Sequence, residues 1–276
     1  MTRSEPRAFV LLGDPVQHSI SPAIHEAAFH RLGIEASYET RRTLVAELSE
    51  TLRAVADSGG GNVTLPHKEA VAALLDHRSP AVDATGACNC FWLEPDLGLA
   101  GDNTDVGGFL ASLPAVGMTE LAGARVLLLG AGGAARAVLH GCVLQQAAAV
   151  DVWNRDAARA VGMVSALAPD SARVLPDLDA VSSAYDLVVN ATSLGLEASD
   201  QVPLALGRVE MGAALDLVYA PGETPWCGAL RTRGLRVADG RLMLVGQGLR
   251  AFQRFFPDVD PPRAVMKAAV ERALSR

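Results

Sequence analysis

The 276-residue chain is longer than the roughly 100–200 residues of a usual single domain, which favours two lobes. Half of its residues are hydrophobic and a fifth are charged, a balance that provides a sizeable core and excludes disorder. The formal charge of −7 comes with no clustered basic face, which argues against a nucleic-acid partner, and no apolar run approaches the roughly 18 residues that cross a bilayer.

Apolar runs of strand length alternate with longer helical patterns, which predicts βαβ units, mainly parallel sheets and the α/β class. The polar residues 1–7 lead straight into the apolar run 8–12, too short for a signal-peptide core and read as the first buried strand. A cytoplasmic protein is expected. Residues 13–20 form the loop that follows, and Ser21-Pro22 reads as an N-cap with proline at the first position of a helix to about Leu32. Residues 59–61 are a short flexible lead into a strand ending at Val63, a helix starts near Pro66, and residues 88–101 read as a hairpin.

A second series begins at Arg125, where residues 126–129 run directly into Gly-Ala-Gly-Gly-Ala at 130–134 and a helix to about Gln146. This is the entry pattern of a Rossmann-type lobe. Strands at about 150–153, 173–175, 187–190 and 213–218 continue it, with helices between. Beyond Val237 the pattern is helical, broken by Pro257 and Pro261-Pro262, and the two last helices are placed back on the first lobe. Of the cysteines, Cys88, Cys90, Cys142 and Cys227, only one pair is close, at a spacing that fits neither zinc nor a thioredoxin-type motif, so reduced structural thiols are expected.

Several segments carry chemistry. The backbone of Gly130, Ala131, Gly132, Gly133 and Ala134 can approach a pyrophosphate and present N–H groups at the positive end of the helix, although a tight βα turn without a ligand also explains such glycines. The next strand ends at Asn154-Arg155, where an NAD enzyme usually carries an acid for the ribose hydroxyl. Arg155 and Arg159 can grip one 2′-phosphate, each charge-assisted bond worth roughly 1.5–3 kcal/mol, so NADP is the expected cofactor. Asp156 between them weakens that preference unless its carboxylate serves the helix N-terminus, and Arg159 also reads as a solvated helix residue.

In the first lobe, Asn-Val-Thr-Leu-Pro-His-Lys at 62–68 sets Thr64 and Lys68 at the carboxyl edge of the sheet, where α/β folds bind ligands. Lys68 and Lys267 are the only lysines among 24 Lys and Arg residues. Lysine can give up its proton where arginine practically cannot, which points to proton chemistry at Lys68, with a surface lysine in a first helical turn as the plain alternative. Asp105 lies in a polar, glycine-flanked turn at 101–108 between the lobes, equally readable as turn and capping chemistry. Ser19 and Ser21, near a helix N-terminus, offer two hydroxyls to a carboxylate or serve only as caps. His18 and His25 lack a third ligand at suitable spacing, so no metal is expected.

Taken together, these segments resemble the shikimate dehydrogenase (shikimate/quinate dehydrogenase) family over nearly the whole chain. The likeness rests on residues 13–25, 62–68, 86–89, 101–108, 130–136, 154–159, 190–195, 216–219 with Thr224-Pro225, and 243–247, all in the family's order. It implies a substrate-binding catalytic domain at 1–105, completed by C-terminal helices at 241–276, and a Rossmann-type, doubly wound NADP-binding domain at 106–240. It also implies that Ser19 and Ser21, with Tyr219 beside them, hold the substrate carboxylate, that Thr64, Asn89 and Gln247 bond ring hydroxyls, and that Lys68 and Asp105 flank the oxygen that becomes a ketone. Asn154, Arg155 and Arg159 with residues 130–134 would hold NADP, Thr192 and Leu194 would line its nicotinamide end, and the carbonyl near Gly240 would touch the ring. Glu26, Cys90, Asp156 and Gly248 depart from the commonest pattern, and only Asp156 bears on cofactor choice.

The implied activity is the reversible, metal-free reduction of 3-dehydroshikimate to shikimate by NADPH, in aromatic amino acid biosynthesis, by a monomer or homodimer. Three other readings stand beside it: an NAD-dependent quinate/shikimate dehydrogenase, an aminoshikimate dehydrogenase, and, from another class, a dinucleotide-binding sensor without catalysis. Sensors of that kind usually lose an ionisable partner, whereas Lys68 and Asp105 are both present.

Overall fold

Along Arg7–Gly13 residues 9–13 are all buried, so both faces of this strand must be covered by other elements. The structure, a computed structural model, describes residues 7–178, 184–196 and 200–275, so most of the polar N-terminal stretch lies outside the described residues. The chain divides into two units, Met1–Thr104 with Val245–Arg276 and Asp105–Leu244, the second inserted into the first.

The first unit holds β1 (Arg7–Gly13), α1 (Ser21–Leu32), β2 (Ala36–Arg42), α2 (Leu48–Ser58), β3 (Gly59–Val63), α3 (Lys68–Leu74), β4 (His77–Arg78), α4 (Pro80–Thr85), β5 (Cys90–Glu94) and β6 (Gly98–Asp102). They form a six-stranded sheet in the order β2-β1-β3-β5-β6-β4. β1, β2 and β3 run parallel, while β5 and β6 are the expected antiparallel hairpin. Val10 and Leu12 pack against Leu48, Leu52 and Val55 of α2. On the other face Phe9 meets Phe29 and Phe255 at ring-centroid distances of 5.6 and 4.5 Å. Phe255 belongs to α9 (Arg241–Phe255), whose chain passes back into this unit, and α10 (Arg263–Leu274) packs against α1.

The second unit opens in α5 (Thr104–Ser112) and continues through β7 (Arg125–Leu129), α6 (Gly133–Leu144), β8 (Ala149–Trp153), α7 (Ala157–Leu167), β9 (Ala172–Val174), β10 (Tyr185–Asn190), β11 (Met211–Asp216), α8 (Pro225–Thr232) and β12 (Arg236–Ala238). Its six strands are all parallel, in the order β12-β11-β10-β7-β8-β9. Counted from β7 this is the doubly wound dinucleotide-binding order, which reverses between β7 and β10. Val126 and Leu128 pack with Val138 and Cys142 of α6 on one face, and Leu127 and Leu129 with Trp226 and Leu230 of α8 on the other. Among the described residues no helix is long and apolar enough to cross a membrane, and the four cysteines are buried and free.

Three local expectations need correction. Ser21 is the first residue of α1 rather than its cap: Ile20 stands at the N-cap and its side chain makes no capping bond. The helix after β3 starts at Lys68, not near Pro66, because His67 N–H donates to Thr64 O (3.0 Å) and closes a turn over those residues. Gly59–Gly61 is no flexible lead but buried strand, paired with Ala8, Phe9 and Val10. A Cβ at Gly61 would overlap Val10 O and one at Gly60, which has φ 103°, would overlap Phe91 O. Only glycine allows the neighbouring strands so close.

Candidate active site

Because β1 and β3 are parallel neighbours, the segments that follow them leave the sheet at the same edge. Gly13, at the end of β1, lets Thr64 lie against it, since a Cβ there would overlap Thr64 Cγ2. Thr64 N–H donates to Leu12 O and Asp14 N–H to Leu65 O, both at 2.9 Å, which pins the turn carrying Thr64 and Lys68 to the loop carrying Ser19 and Ser21. A further brace runs through His67, whose buried ring places Nε2 2.6 Å from Thr43 O, while Thr43 N–H donates to Gly13 O (3.1 Å). The carbonyl can only accept, so Nε2 carries the proton.

Ser19 accepts from Ser21 N–H (3.3 Å), and the two hydroxyl oxygens lie 3.2 Å apart. Neither stands at the N-cap of α1; the bond from Ser21 N–H to Ser19 satisfies the first residue of the helix and leaves the Ser21 hydroxyl without a capping role. Lys68, partly buried, opens α3, and its carbonyl accepts from Cys88 N–H (2.8 Å), which brings residues 86–89 alongside it. Asn89 is buried; its Nδ2 reaches Gln247 Oε1 at 3.5 Å, joining two predicted residues 158 positions apart. Its Oδ1 accepts from Thr104 N–H (2.7 Å), which fixes the start of α5 one residue before Asp105. Asn62 adds a support that sequence reasoning did not single out: its Oδ1 accepts from Tyr38 OH (2.7 Å) and its Nδ2 donates to Asn89 O (2.9 Å). His25 is a core histidine, stacked on Tyr38 at 4.5 Å and 3°, and burial pushes its imidazole down to about 3. His18 is exposed.

In the second unit β7 runs into Gly130, whose φ of 112° and close approach to Ala191 O (2.8 Å from a would-be Cβ) both require glycine. Gly132 differs. It stands at the N-cap of α6, and a Cβ there would meet nothing within 4 Å, so the protein's own packing does not demand glycine. That open side faces the start of α6, where a phosphate would be drawn to the N–H groups of its first turn. At the end of β8, Asn154 Nδ2 donates to Asp156 O (2.8 Å), and the Asp156 carboxylate accepts from Arg159 N–H (3.2 Å) as the N-cap of α7. The acid is thus committed to the helix end, and Arg155 and Arg159 are exposed beside it.

The turns after β10 and β11 complete the set. Thr192 N–H and Oγ1 both donate to Asn190 Oδ1 (3.0 and 2.7 Å), and Leu194 N–H donates to Thr192 Oγ1 (3.1 Å). Tyr219 follows β11, partly exposed, its phenol raised by desolvation. Gly240 donates to Val218 O (3.0 Å), and a Cβ there would overlap Leu217 O. Asp105, 5% exposed, sits in the first turn of α5. Of the predicted residues, Ser19, Ser21, Thr64, Lys68, Asn89 and Gln247 belong to the first unit, and Asp105, Tyr219 and the whole nucleotide set to the second.

The family model for the shikimate dehydrogenase substrate binding domain matches residues 11–91, that for shikimate / quinate 5-dehydrogenase residues 113–198, and that for the shikimate 5′-dehydrogenase C-terminal domain residues 240–271. The shikimate dehydrogenase (NADP(+)) of Methylobacterium radiotolerans is 43% identical over 95% of this chain and 96% of its own length. The chain belongs to the shikimate dehydrogenase family. The likeness extends to solved structures: shikimate 5-dehydrogenase from Thermus thermophilus, in complex with NADP(H) and shikimate, has 39% identity and a TM-score of 0.86 over 97% of this chain and 99% of that one. The ligand-free 5-ketofructose reductase of a Gluconobacter strain has 29% identity and a TM-score of 0.82 over 97% and 99%. One scaffold therefore serves differently named carbonyl reductions, which leaves substrate choice to the residues at the strand ends.

Proposed function

We propose that this protein catalyses the NADP-dependent, reversible reduction of 3-dehydroshikimate to shikimate in aromatic amino acid biosynthesis. The first unit would take the substrate and the second the dinucleotide. The observation that carries the reading is the carboxyl edge of the first unit, where a hydroxyl pair, a threonine, a lysine and an amide pair are pinned together by Gly13, His67 and Asn62. Ser19 and Ser21, with Tyr219, bind the carboxylate, and Thr64, Asn89 and Gln247 bind ring hydroxyls. NADPH, held by residues 130–134 and by Arg155 and Arg159, supplies the hydride. Lys68 gives a proton to the carbonyl oxygen as the hydride arrives, and takes it back in the oxidation of shikimate. Asp105 bonds the neighbouring hydroxyl and orients the lysine. Asn154 flanks the phosphate grip, Thr192 and Leu194 line the nicotinamide end, and the Gly240 carbonyl touches its ring. A cytoplasmic location and a monomeric or homodimeric state complete the reading, to be checked by cell fractionation and sedimentation.

Steady-state rates with shikimate and with quinate, each with NADP and with NAD, test the assignment. Shikimate with NADP should be the preferred pair; faster turnover of quinate with NAD would replace the reading with a quinate dehydrogenase, and nucleotide binding without turnover would replace it with a sensor. Lys68→Ala should lower kcat by about 10²–10⁴-fold while KM for shikimate stays within several-fold, because the proton transfer occurs only in the transition state. Undiminished turnover in that variant would remove Lys68 from the mechanism.

A further inference from the structure

The turns after β10 and β11 carry different halves of the proposed site, Thr192 and Leu194 on one and Tyr219 on the other, and two buried side chains join them at the base. Asn190 ends β10 and Asp216 ends β11, directly paired across the sheet and both fully buried. Asn190 Oδ1 takes both donors of Thr192, and Nδ2 donates to Leu194 O (3.2 Å) and to Asp216 Oδ1 (2.8 Å). The same Asp216 oxygen accepts from Val218 N–H (3.2 Å), next to Tyr219, and Oδ2 accepts from Thr224 Oγ1 (2.7 Å), the N-cap of α8. Among the described residues every donor to this carboxylate is neutral. Its burial, helped by the like charge of Asp239, raises its carboxyl above the ordinary range.

A buried carboxylate that meets only dipoles is a costly way to hold two strands together, and an apolar pair would hold them at less expense. What the apolar pair lacks is direction. Asparagine and aspartate fix the angles of both turns at once, so a displacement of Thr192 reaches Tyr219 through one amide and one carboxylate.

We infer that Asn190 and Asp216 are positioning residues forming a bridge that couples the nicotinamide-lining turn to the Tyr219 turn, so that cofactor and shikimate strengthen each other's binding. The inference rests on the roles proposed above for Thr192, Leu194 and Tyr219. The test measures dissociation constants for shikimate alone and with saturating NADPH, by calorimetry. Both are the reduced partners of the reaction, one of each redox pair, so they do not react with each other and the complex is stable. In the unaltered protein NADPH should tighten shikimate by at least about 5-fold, the low end of ordinary coupling between sites. Asn190→Leu should bring that ratio to about one while each ligand alone still binds. Asn190→Ala, which removes the same bonds without new bulk, is the second variant should the first fail to fold. Asp216→Asn keeps the shape and, with the Thr224 hydroxyl reversed, the bonds; it should retain the ratio, which a merely electrostatic role would not allow. Tyr219→Phe should weaken shikimate alone, and if it does not, the reading of the site fails rather than the bridge. A ratio near one in the unaltered protein, or an unchanged ratio in both Asn190 variants, overturns the bridge.

Discussion

A carboxylate set between two arginines ordinarily weakens their hold on a phosphate, yet Asp156 is turned toward the N–H of Arg159 and acts as the N-cap of α7. Its charge is still present, and that charge can be removed without removing the cap, because asparagine caps a helix about as well as aspartate. Asp156→Asn should therefore lower KM for NADP modestly, with melting temperature almost unchanged. Arg159→Ala should raise it about 10-fold or more, as expected from the loss of one charge-assisted bond worth roughly 1.5–3 kcal/mol, and turnover with NAD should hardly change. An equal effect on both cofactors would mean that Arg159 does not read the 2′-phosphate. The placement of these two arginines, exposed where β8 gives way to α7, was legible in the sequence because the strand end and the four-residue spacing are local features. His67 was not legible as a brace. Its partner is the carbonyl of Thr43, on a segment that only tertiary folding brings near, and any residue type at position 43 other than one that disturbs the backbone would present the same oxygen.

At the scale of elements, two glycines that look alike in the sequence carry opposite demands. Gly61 lies inside β3 with Val10 O where a Cβ would have to be, whereas Gly132 caps α6 with open space on that side. Gly61→Ala should cost about 1–3 kcal/mol or more, as overpacking in a core does, with no specific loss of cofactor affinity in whatever protein folds. Gly132→Ala should leave thermal stability nearly intact and raise KM for NADP, since the added methyl occupies the side a pyrophosphate approaches. Parallel losses of stability in both variants would contradict this division. The same contrast explains which elements could be read in advance. β1, β7 and the hairpin of β5 and β6 announce themselves as apolar runs with turn residues at their ends. β2 has only Tyr38 buried along its length and serves as a sheet edge, and β4 has just two residues, both exposed, so neither gives a periodic signal. Gly59–Gly61 was misread because local rules take consecutive glycines as slack, while the constraint here comes from carbonyls some fifty residues away on β1 and thirty on β5.

At the scale of the whole molecule, acid should act on the two units through different groups. The imidazole of His25 lies at about 3 in the folded chain against an ordinary 6.5. Below pH 6.5 the unfolded chain takes up a proton that the folded chain declines, so the stability of the first unit is fully present above that value and declines as pH falls toward 3, by on the order of 1 kcal/mol per pH unit. The second unit mixes signs. Burial opposes ionisation of Asp151, but bonds from Arg173 and Tyr185 outweigh it and hold the carboxyl below its usual range, so its contribution is lost only in strong acid. Partial burial lowers His140 in the same sense as His25, while desolvation raises Asp216 and Asp239, whose contributions are present in acid and decline as pH rises through their folded values. The first unit therefore offers the clean measurement. His25→Phe keeps a ring against Tyr38 and removes the titrating group, so unfolding by urea at steps from pH 7 to pH 4.5 should show a distinctly shallower loss of stability than in the unaltered chain. Identical slopes for the two proteins would mean that His25 takes up its proton in the folded state, and that its ring is not sealed from water as the stacking on Tyr38 requires.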